Sequence, residues 1–141
     1  MESLLEIRRL SHVSLSAFDL VATERFYTEI LGFQTVHEFL NGEGLRYGLF
    51  LYTGGGTFLE VFQSADLPDN RSILRHVCFE TMDIHAFAEG LRKRGVTDFE
   101  IRRGRTDKVL QFFINGPDNV QIEIQQHDEM SLLYNYVNVK R

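Results

Sequence analysis

Two stretches of the chain alternate apolar and polar residues in one shared pattern. "SHVSLSAFD" (residues 11–19) and "RHVCFETMD" (residues 75–83) each contain His-Val, an apolar residue two places on, and Asp seven places after the His. In the first stretch, Val13 and Leu15 alternate with His12, Ser14 and Ser16. Period-two alternation predicts a strand with one apolar face and one face that carries the His. The repetition predicts two such strands at equivalent points of a duplicated unit.

A helix is predicted directly after each of these strands. Asp19 begins "DLVATERFYTEILGF" and Asp83 begins "DIHAFAEGLRKRGV". Both segments space apolar residues three or four apart, which is typical of an amphipathic helix. Asp is a favoured helix N-cap, and Gly32 and Gly95 stand where glycine commonly ends a helix.

Three strand-like runs follow each helix. They are "FQTVHEFL", "RYGLFLYT" and "TFLEVFQS" in the first half, and "DFEIRR", "VLQFFI" and "VQIEIQQ" in the second. The polar segment "SADLPDNR" between the halves predicts a linker. The pattern therefore predicts an α+β fold with two βαβββ modules in tandem, at about residues 7–64 and 72–126 of a single domain 1–141, followed by a C-terminal tail 127–141.

Composition narrows the classes of partner. The chain has 141 residues, 43% of them hydrophobic, which is enough for one buried core. A formal charge of -5 offers no general attraction for nucleic acid or anionic lipid, so we expect a small-molecule ligand. No apolar run is long enough for a membrane span and the N-terminal residues are charged, which predicts a cytoplasmic protein. Cys78, the single cysteine, is expected to be a reduced, buried thiol without a redox role.

A carboxylate lies in the last strand of each half. Glu60 follows His12 by 48 positions (60 minus 12), and Glu123 follows His76 by 47 (123 minus 76). Each Glu alternates with apolar neighbours, and a carboxylate directed inward without a partner is costly. A divalent cation would satisfy all four side chains. Taken singly, each Glu also suits a solvent-facing strand position and each His suits a hydrogen-bonded one.

The other three histidines lack such partners in the repeat. His85 falls in the first turn of a helix, where it is expected to be solvated, and His127 follows the last strand, where a supporting role is expected. His37 lies on a strand whose facing the pattern leaves open.

Longer motifs resemble those of the vicinal oxygen chelate superfamily over roughly residues 7–126. They are "LSHVSLSAFDLVATERFYTEILGF", "TFLEVF", "LRHVCFETMD" and "NGPDNVQIEI". The resemblance implies curled mixed sheets that form half-barrels around one divalent ion (Zn, Ni, Co, Mn or Fe). It places His12, Glu60, His76 and Glu123 at the four metal positions, in an order closest to glyoxalase I. Ser16 and Ser64 stand where glyoxalase I usually has an Arg and an Asn that bind glutathione, so glutathione conjugates are not the expected substrates.

The ligand set indicates a type of chemistry. Two neutral imidazoles and two carboxylates balance a divalent ion and leave room for a substrate with adjacent oxygens. We therefore expect a metal-dependent lyase or isomerase that moves a proton α to a carbonyl through a metal-bound enediolate. The resemblance implies Glu123 as the base, with Glu60 able to share the task.

Several neighbours of the four ligands are candidates for substrate contacts. Phe58 and Phe62 would share the strand face of Glu60 as an apolar wall. Hydrogen bonds to substrate oxygens are expected from Ser14, Ser16, Gln121 and Gln125. Arg103, within a cluster of Arg102, Arg105 and Lys108, is a candidate for holding an anionic group.

Other activities on this scaffold stay open. An epimerase acting on a keto-sugar, cyclitol or acyl thioester would use the same ligands. An extradiol-type dioxygenase typically needs three open positions at iron, one of which Glu60 would occupy. A non-catalytic resistance protein that binds a small molecule would not need the ligand set.

The tail suggests an assembly. Its apolar residues Leu132, Leu133, Tyr134, Tyr136, Val137 and Val139 belong to neither module. They predict a homodimer in which the tail covers a partner's surface, and the alternative is a tail that folds back on its own chain. Whether the metal ligands come from one chain or two stays open.

Overall fold

The computed structural model describes residues 10–65, 76–105 and 107–135. They fall into two compact units, Met1–Leu67 and Pro68–Arg141. Each unit contains a strand, a helix and three further strands, and its four strands form one open mixed sheet that does not close into a barrel. The prediction of an α+β fold with two βαβββ modules is confirmed.

The first unit builds its sheet from strands β1 to β4. They are β1 (His12–Ala17), β2 (Gln34–Leu40), β3 (Arg46–Gly54) and β4 (Thr57–Gln63), in the order β1-β4-β3-β2. Helix α1 (Leu20–Arg25) continues into a π-helical turn (Phe26–Ile30). β1 runs parallel to β4, while β3 is antiparallel to both of its neighbours.

The second unit repeats this arrangement. Its strands are β5 (Val77–Glu80), β6 (Arg102–Arg103), β7 (Leu110–Asn115) and β8 (Gln121–Gln126), in the order β5-β8-β7-β6. Helix α2 (Ile84–Lys93) follows β5, and a 3-10 turn (Pro117–Asn119) precedes β8. β5 is parallel to β8, which makes it the counterpart of β1.

Both helices begin as the sequence predicts. The Asp19 side chain accepts a hydrogen bond from the Ala22 backbone N–H at 3.0 Å, and Asp83 accepts one from Ala86 at the same distance. Each bond satisfies an N–H that the first helical turn leaves without an intrahelical partner. Gly32 has φ +75°, a left-handed conformation that favours glycine and ends the first helical segment.

The helices cover one face of each sheet. In the first unit the buried side chains are Leu20, Tyr27, Leu49, Leu51, Leu59 and Val61; in the second they include Ile84, Ala88, Leu91, Phe112, Ile114, Ile122 and Ile124. Full burial of one such large side chain contributes roughly 1.5–3 kcal/mol. Because side chains alternate along a strand, packing this face against the helix directs the intervening residues to the opposite face.

The segment predicted as a strand at "DFEIRR" differs in the structure. Only Arg102 and Arg103 pair with β7. Phe99 instead stacks on Phe112, with ring centroids 4.4 Å apart, and the Arg92 guanidinium lies 5.0 Å from the Phe99 ring centroid. The prediction of a full strand was wrong because Phe99 packs between α2 and β7.

Parts of the predicted linker and tail lie outside the described residues. In the linker this applies to residues 66–71. At its start, the Ser64 backbone N–H donates to the Ala17 carbonyl at 2.8 Å, just after β4 ends. In the tail, Tyr136, Val137 and Val139 also lie outside the described residues.

Candidate functional site

In the first unit, His12 and Glu60 lie on the face of the sheet that α1 does not cover. In the parallel pairing of β1 with β4, His12 stands opposite Phe58 and Ser14 opposite Glu60, so His12 is diagonal to Glu60. The His12 Nδ1 atom and the Ser11 hydroxyl are 3.1 Å apart. Glu60 is half-buried, and among the described residues its carboxylate makes no hydrogen bond or ion pair. It is thus an available acceptor.

In the second unit, His76 and Glu123 have the same diagonal relation. Cys78, two residues after His76, stands opposite Glu123. The His76 Nε2 atom lies 2.9 Å from Glu123 Oε2, and the Gln125 side-chain amide donates to Glu123 Oε1 at 2.5 Å. Glu123 is only 5% exposed. This carboxylate is therefore buried with a partner on each oxygen.

A phenylalanine completes each pair. The His12 ring meets the Phe50 ring edge-on, with centroids 5.7 Å apart and planes at 83°. His76 meets Phe113 at the same 5.7 Å and at 89°. Phe50 stands opposite Glu60, and Phe113 stands opposite Glu123, in the antiparallel pairing. Each unit therefore repeats a His–Glu–Phe set.

Sequence reasoning missed both of these phenylalanines. The signal was present in "RYGLFLYT" and "VLQFFI", since these runs occupy equivalent places in the repeat. Their register against the glutamates depends on strand pairing, which the pattern of single strands does not specify.

Aromatic rings flank Glu60 on its face of the sheet. Phe58 and Phe62 lie on it, as the alternation predicts, and Ser14 and Ser16 stand opposite Glu60 and Phe62. Further rings in contact on this face belong to His37, Phe39, Tyr47 and Tyr52. The sequence pattern left open which face of its strand His37 occupies. The His37 and Phe39 ring centroids are 4.8 Å apart, just after a β-bulge. The first unit thus places its imidazole and carboxylate among apolar rings.

The Glu123 face is polar. Gln121 and Gln125 flank Glu123 at the positions that Phe58 and Phe62 hold beside Glu60. Gln111 stands opposite Gln125, and Glu80 stands on the other side of it. At the positions beside the glutamate, hydrogen-bonding side chains therefore replace the aromatic rings of the first unit, while Phe113 is the counterpart of Phe50.

The prediction that Cys78 is buried was wrong. The residue is exposed, because β5 directs it to the same face as His76, away from the helix. Partial burial of the sulfur, together with the negative charges of Glu123 and Glu80, nevertheless raises the pKa of the Cys78 thiol to about 12. The neutral thiol is the form present at ordinary pH.

Arg103 is not brought to the Glu123 face. It stands opposite Leu110, and its guanidinium binds the Asp128 carboxylate at 3.0 and 3.2 Å and the Lys108 carbonyl at 2.7 Å. The hydrogen bond from Arg103 lowers the pKa of Asp128. Asp128 in turn accepts from the Met130 backbone N–H at 2.9 Å. The expected anion-binding role is therefore replaced by a structural one at the start of the tail.

The remaining two histidines lie away from these pairs. His85 is exposed in the first turn of α2, as expected. His127 follows β8 and is half-buried, and its Nδ1 atom has no hydrogen-bond partner in the described part of the chain.

The donor types fit a divalent cation as two pairs. Imidazole nitrogens and carboxylate oxygens are ordinary ligands of zinc and related divalent ions. Across residues 10–65, 76–105 and 107–135, no three His, Cys, Asp or Glu side chains lie close enough together to hold a metal ion. Each unit thus offers one imidazole and one carboxylate on the face that its helix does not cover.

None of the helices within the described ranges is long and apolar enough to cross a membrane.

Comparisons with known proteins identify the family. The model of the Glyoxalase/Bleomycin resistance protein/Dioxygenase superfamily matches residues 9–124. Virulence protein STM3117 of Salmonella typhimurium is 30% identical over 125 residues, which cover 86% of this chain and 85% of that protein. Uncharacterized protein YwkD of Bacillus subtilis is 26% identical over 126 residues, covering 85% and 98%. The crystal structure of a glyoxalase family protein from Enterococcus faecalis has a TM-score of 0.72 at 28% identity, covering 84% of this chain and 97% of that one. The chain belongs to the Glyoxalase/Bleomycin resistance protein/Dioxygenase superfamily, which confirms the family resemblance of its sequence.

Proposed function

We propose that the chain is a divalent-metal-dependent lyase or isomerase of the glyoxalase type, which moves a proton α to a carbonyl of a small substrate with adjacent oxygens. The observation that carries the proposal is the His–Glu–Phe set repeated in both units. Core packing does not require these side chains, because they lie on the face that the helices leave uncovered. The repetition of this set in both units supports a shared function for the two sets.

The residues that would hold the metal are His12, Glu60, His76 and Glu123. Zn, Ni, Co, Mn and Fe are the candidate ions, since each accepts imidazole and carboxylate ligands. A bound ion would supply Lewis-acid polarisation of the substrate carbonyl, which makes the neighbouring proton more acidic. The proposal is the same whether the four ligands come from one chain or from two.

Glu123 is proposed as the base that takes the α-proton. Its carboxylate is buried, and a side chain held by neighbours on both oxygens stays in one orientation. Little water competes for it. Glu60, which has no partner among the described residues, is the second carboxylate and is able to share proton transfer.

The two faces would contribute differently to substrate binding. Phe58 and Phe62 provide apolar surface around Glu60, which limits access of water. Ser14, Ser16, Gln121 and Gln125 provide hydrogen-bonding groups for substrate oxygens. Arg103 has no part in this proposal, because its guanidinium is bound to Asp128.

A second candidate function is epimerisation α to a carbonyl on a keto-sugar, cyclitol or acyl thioester. The observation in its favour is the polar face around Glu123, where glutamine amides can bind the hydroxyls of such substrates. An epimerase returns the proton to either face of the same carbon, whereas an isomerase delivers it to the neighbouring carbon. The position of the label after reaction separates the two.

The test is solvent-deuterium exchange into a panel of α-hydroxycarbonyl compounds, keto-sugars and acyl thioesters, monitored by NMR with metal-loaded protein. We expect exchange at the α-carbon of at least one compound, abolished by a chelator and restored by divalent metal. The hemithioacetal of methylglyoxal and glutathione is included, and we expect it to be a poor substrate because Ser16 and Ser64 replace the anchors. Absence of exchange across the whole panel by metal-loaded protein would contradict the proposal.

We also propose that the protein is a cytoplasmic homodimer. In the described part of the tail, Ser131 is buried and the Leu132 backbone N–H donates to the Asp107 carbonyl at 2.8 Å. The side chains of Met130, Leu132 and Leu133 are nevertheless more than half exposed. These exposed apolar side chains offer a surface that a second copy of the chain would cover. Light scattering of full-length protein and of the Leu132→Asp/Leu133→Asp variant tests the idea: a dimer that the variant dissociates is expected, and a monomeric wild type contradicts it.

A further inference from the structure

Gln125 contacts Glu123, and the role considered for it rests on the proposed metal-binding function of Glu123. Gln125 lies two residues after Glu123 on β8, so both side chains point to the same face. Its side-chain amide donates to Glu123 Oε1 at 2.5 Å, while His76 Nε2 lies 2.9 Å from Oε2. Each oxygen of the Glu123 carboxylate therefore has its own polar neighbour.

The first unit has no such donor. Gln125 and Phe62 occupy equivalent positions, each two residues after the glutamate of its unit. A phenylalanine cannot donate a hydrogen bond to Glu60, and Glu60 has no partner among the described residues. The repeat thus supplies an internal comparison between a carboxylate with a neighbouring amide and one without.

We propose that Gln125 is a positioning residue that fixes the rotamer of Glu123, so that Oε2 is presented beside His76. An amide bonded to one carboxylate oxygen removes the freedom of the side chain to rotate, and a preoriented ligand loses less entropy when it binds. Residues that orient metal ligands in this way typically change metal affinity by roughly 10–100-fold when they are replaced. Gln125 would therefore act on a metal through Glu123.

The test compares two matched variants of the full chain, Gln125→Met and Gln111→Met. Both remove an amide from the same face and keep a side chain of similar length, but Gln111 stands opposite Gln125 on β7 and makes no hydrogen bond to Glu123. Binding of Co²⁺ alone is measured by competition with a chromophoric chelator. We expect Gln125→Met to weaken binding roughly 10–100-fold and Gln111→Met to change it less than about threefold. Equal affinities for wild type and Gln125→Met would overturn the inference.

A second measurement uses metal-free wild type, so it depends neither on metal binding nor on the folding of a variant. In metal-free wild type, hydrogen exchange measured by NMR should be slower for one Gln125 side-chain amide proton than for those of Gln111, because that proton is donated to a buried carboxylate. Equal exchange rates would also overturn the inference. If wild type fails to bind Co²⁺, the proposed metal-dependent function fails, and this exchange measurement alone decides whether Gln125 holds Glu123.

Discussion

The His12–Glu60 pair and the His76–Glu123 pair share one register and lie in different chemical surroundings. In both units the glutamate stands diagonal to the histidine and opposite a phenylalanine that meets the imidazole edge-on. The residues two positions before and after Glu60 carry aromatic rings, whereas the residues two positions before and after Glu123 carry amides. Strand pairing therefore sets where the candidate ligands lie, and the residues two positions away set how each one is held.

This difference affects the two carboxylates in opposite ways. Glu123 is nearly buried and has a partner on each oxygen, so its position is well defined. Glu60 is half-buried among rings and has no partner in the described residues. Equivalent positions in the repeat thus differ in the number of partners of the carboxylate, and we assign the larger proposed catalytic role to Glu123, which has a partner on each oxygen.

Replacing each glutamate by its amide is expected to have the largest effect. Glu123→Gln, assayed with divalent metal in excess so that the variant is loaded, should lower the rate of α-proton exchange by roughly 10²–10⁴-fold, the usual contribution of a general base. Glu60→Gln should lower it less, because the shared role is secondary. Exchange of deuterium into the best compound of the panel measures both variants. A wild-type rate for Glu123→Gln would rule out its assignment as the base.

The two faces of β7 should differ in their effect on stability. Phe112 is 1% exposed and packs under α2, so Phe112→Ala should cost about 3–5 kcal/mol of unfolding free energy. Its neighbour Phe113 is 37% exposed on the Glu123 face, and Phe113→Ala should cost clearly less. Urea unfolding measures both. Equal losses would mean that the Glu123 face is as important to the core as the helix-covered face.

Cysteine reactivity compares equivalent positions beside the two glutamates. A pKa of about 12 for Cys78, against an ordinary value of 9.0, leaves much less thiolate at pH 8. Alkylation by iodoacetamide should be roughly 100-fold or more slower than for free cysteine, because the thiolate is the nucleophile. Glu80→Gln removes a negative charge and should raise the rate. Ser14→Cys in a Cys78→Ser background provides the comparison from the first unit, and we expect it to react faster; a slower reaction would contradict the difference between the two faces.

Local patterns predicted those features that depend on nearby residues. Asp19 and Asp83 cap helices because an N-cap bond spans only three residues. Alternation likewise placed the core residues of β4 and β8 on one face and Phe58 and Phe62 with Glu60 on the other. The duplicated pattern then identified the two modules, since each repeats the same order of elements.

Features that depend on distant residues were predicted less well. Phe99 leaves its expected strand to stack on Phe112, and Arg103 turns to Asp128, 25 positions along the chain. Period-two alternation already placed Cys78 with His76, but the apolar residues beside it in sequence suggested burial. Phe50 and Phe113 became visible only through the register of β3 with β4 and of β7 with β8. These contacts are set by packing and pairing between elements.

We propose that His12, Glu60, His76 and Glu123 together bind one divalent ion per chain. The metal content per chain tests this proposal and is measured by mass spectrometry after loading with Zn²⁺ and removal of excess. The chains compared are wild type, His12→Ala/Glu60→Ala and His76→Ala/Glu123→Ala, with folding checked by circular dichroism. We expect one ion per chain in wild type and almost none in either double variant. A wild type that binds no metal, or double variants that each retain their ion, would contradict it.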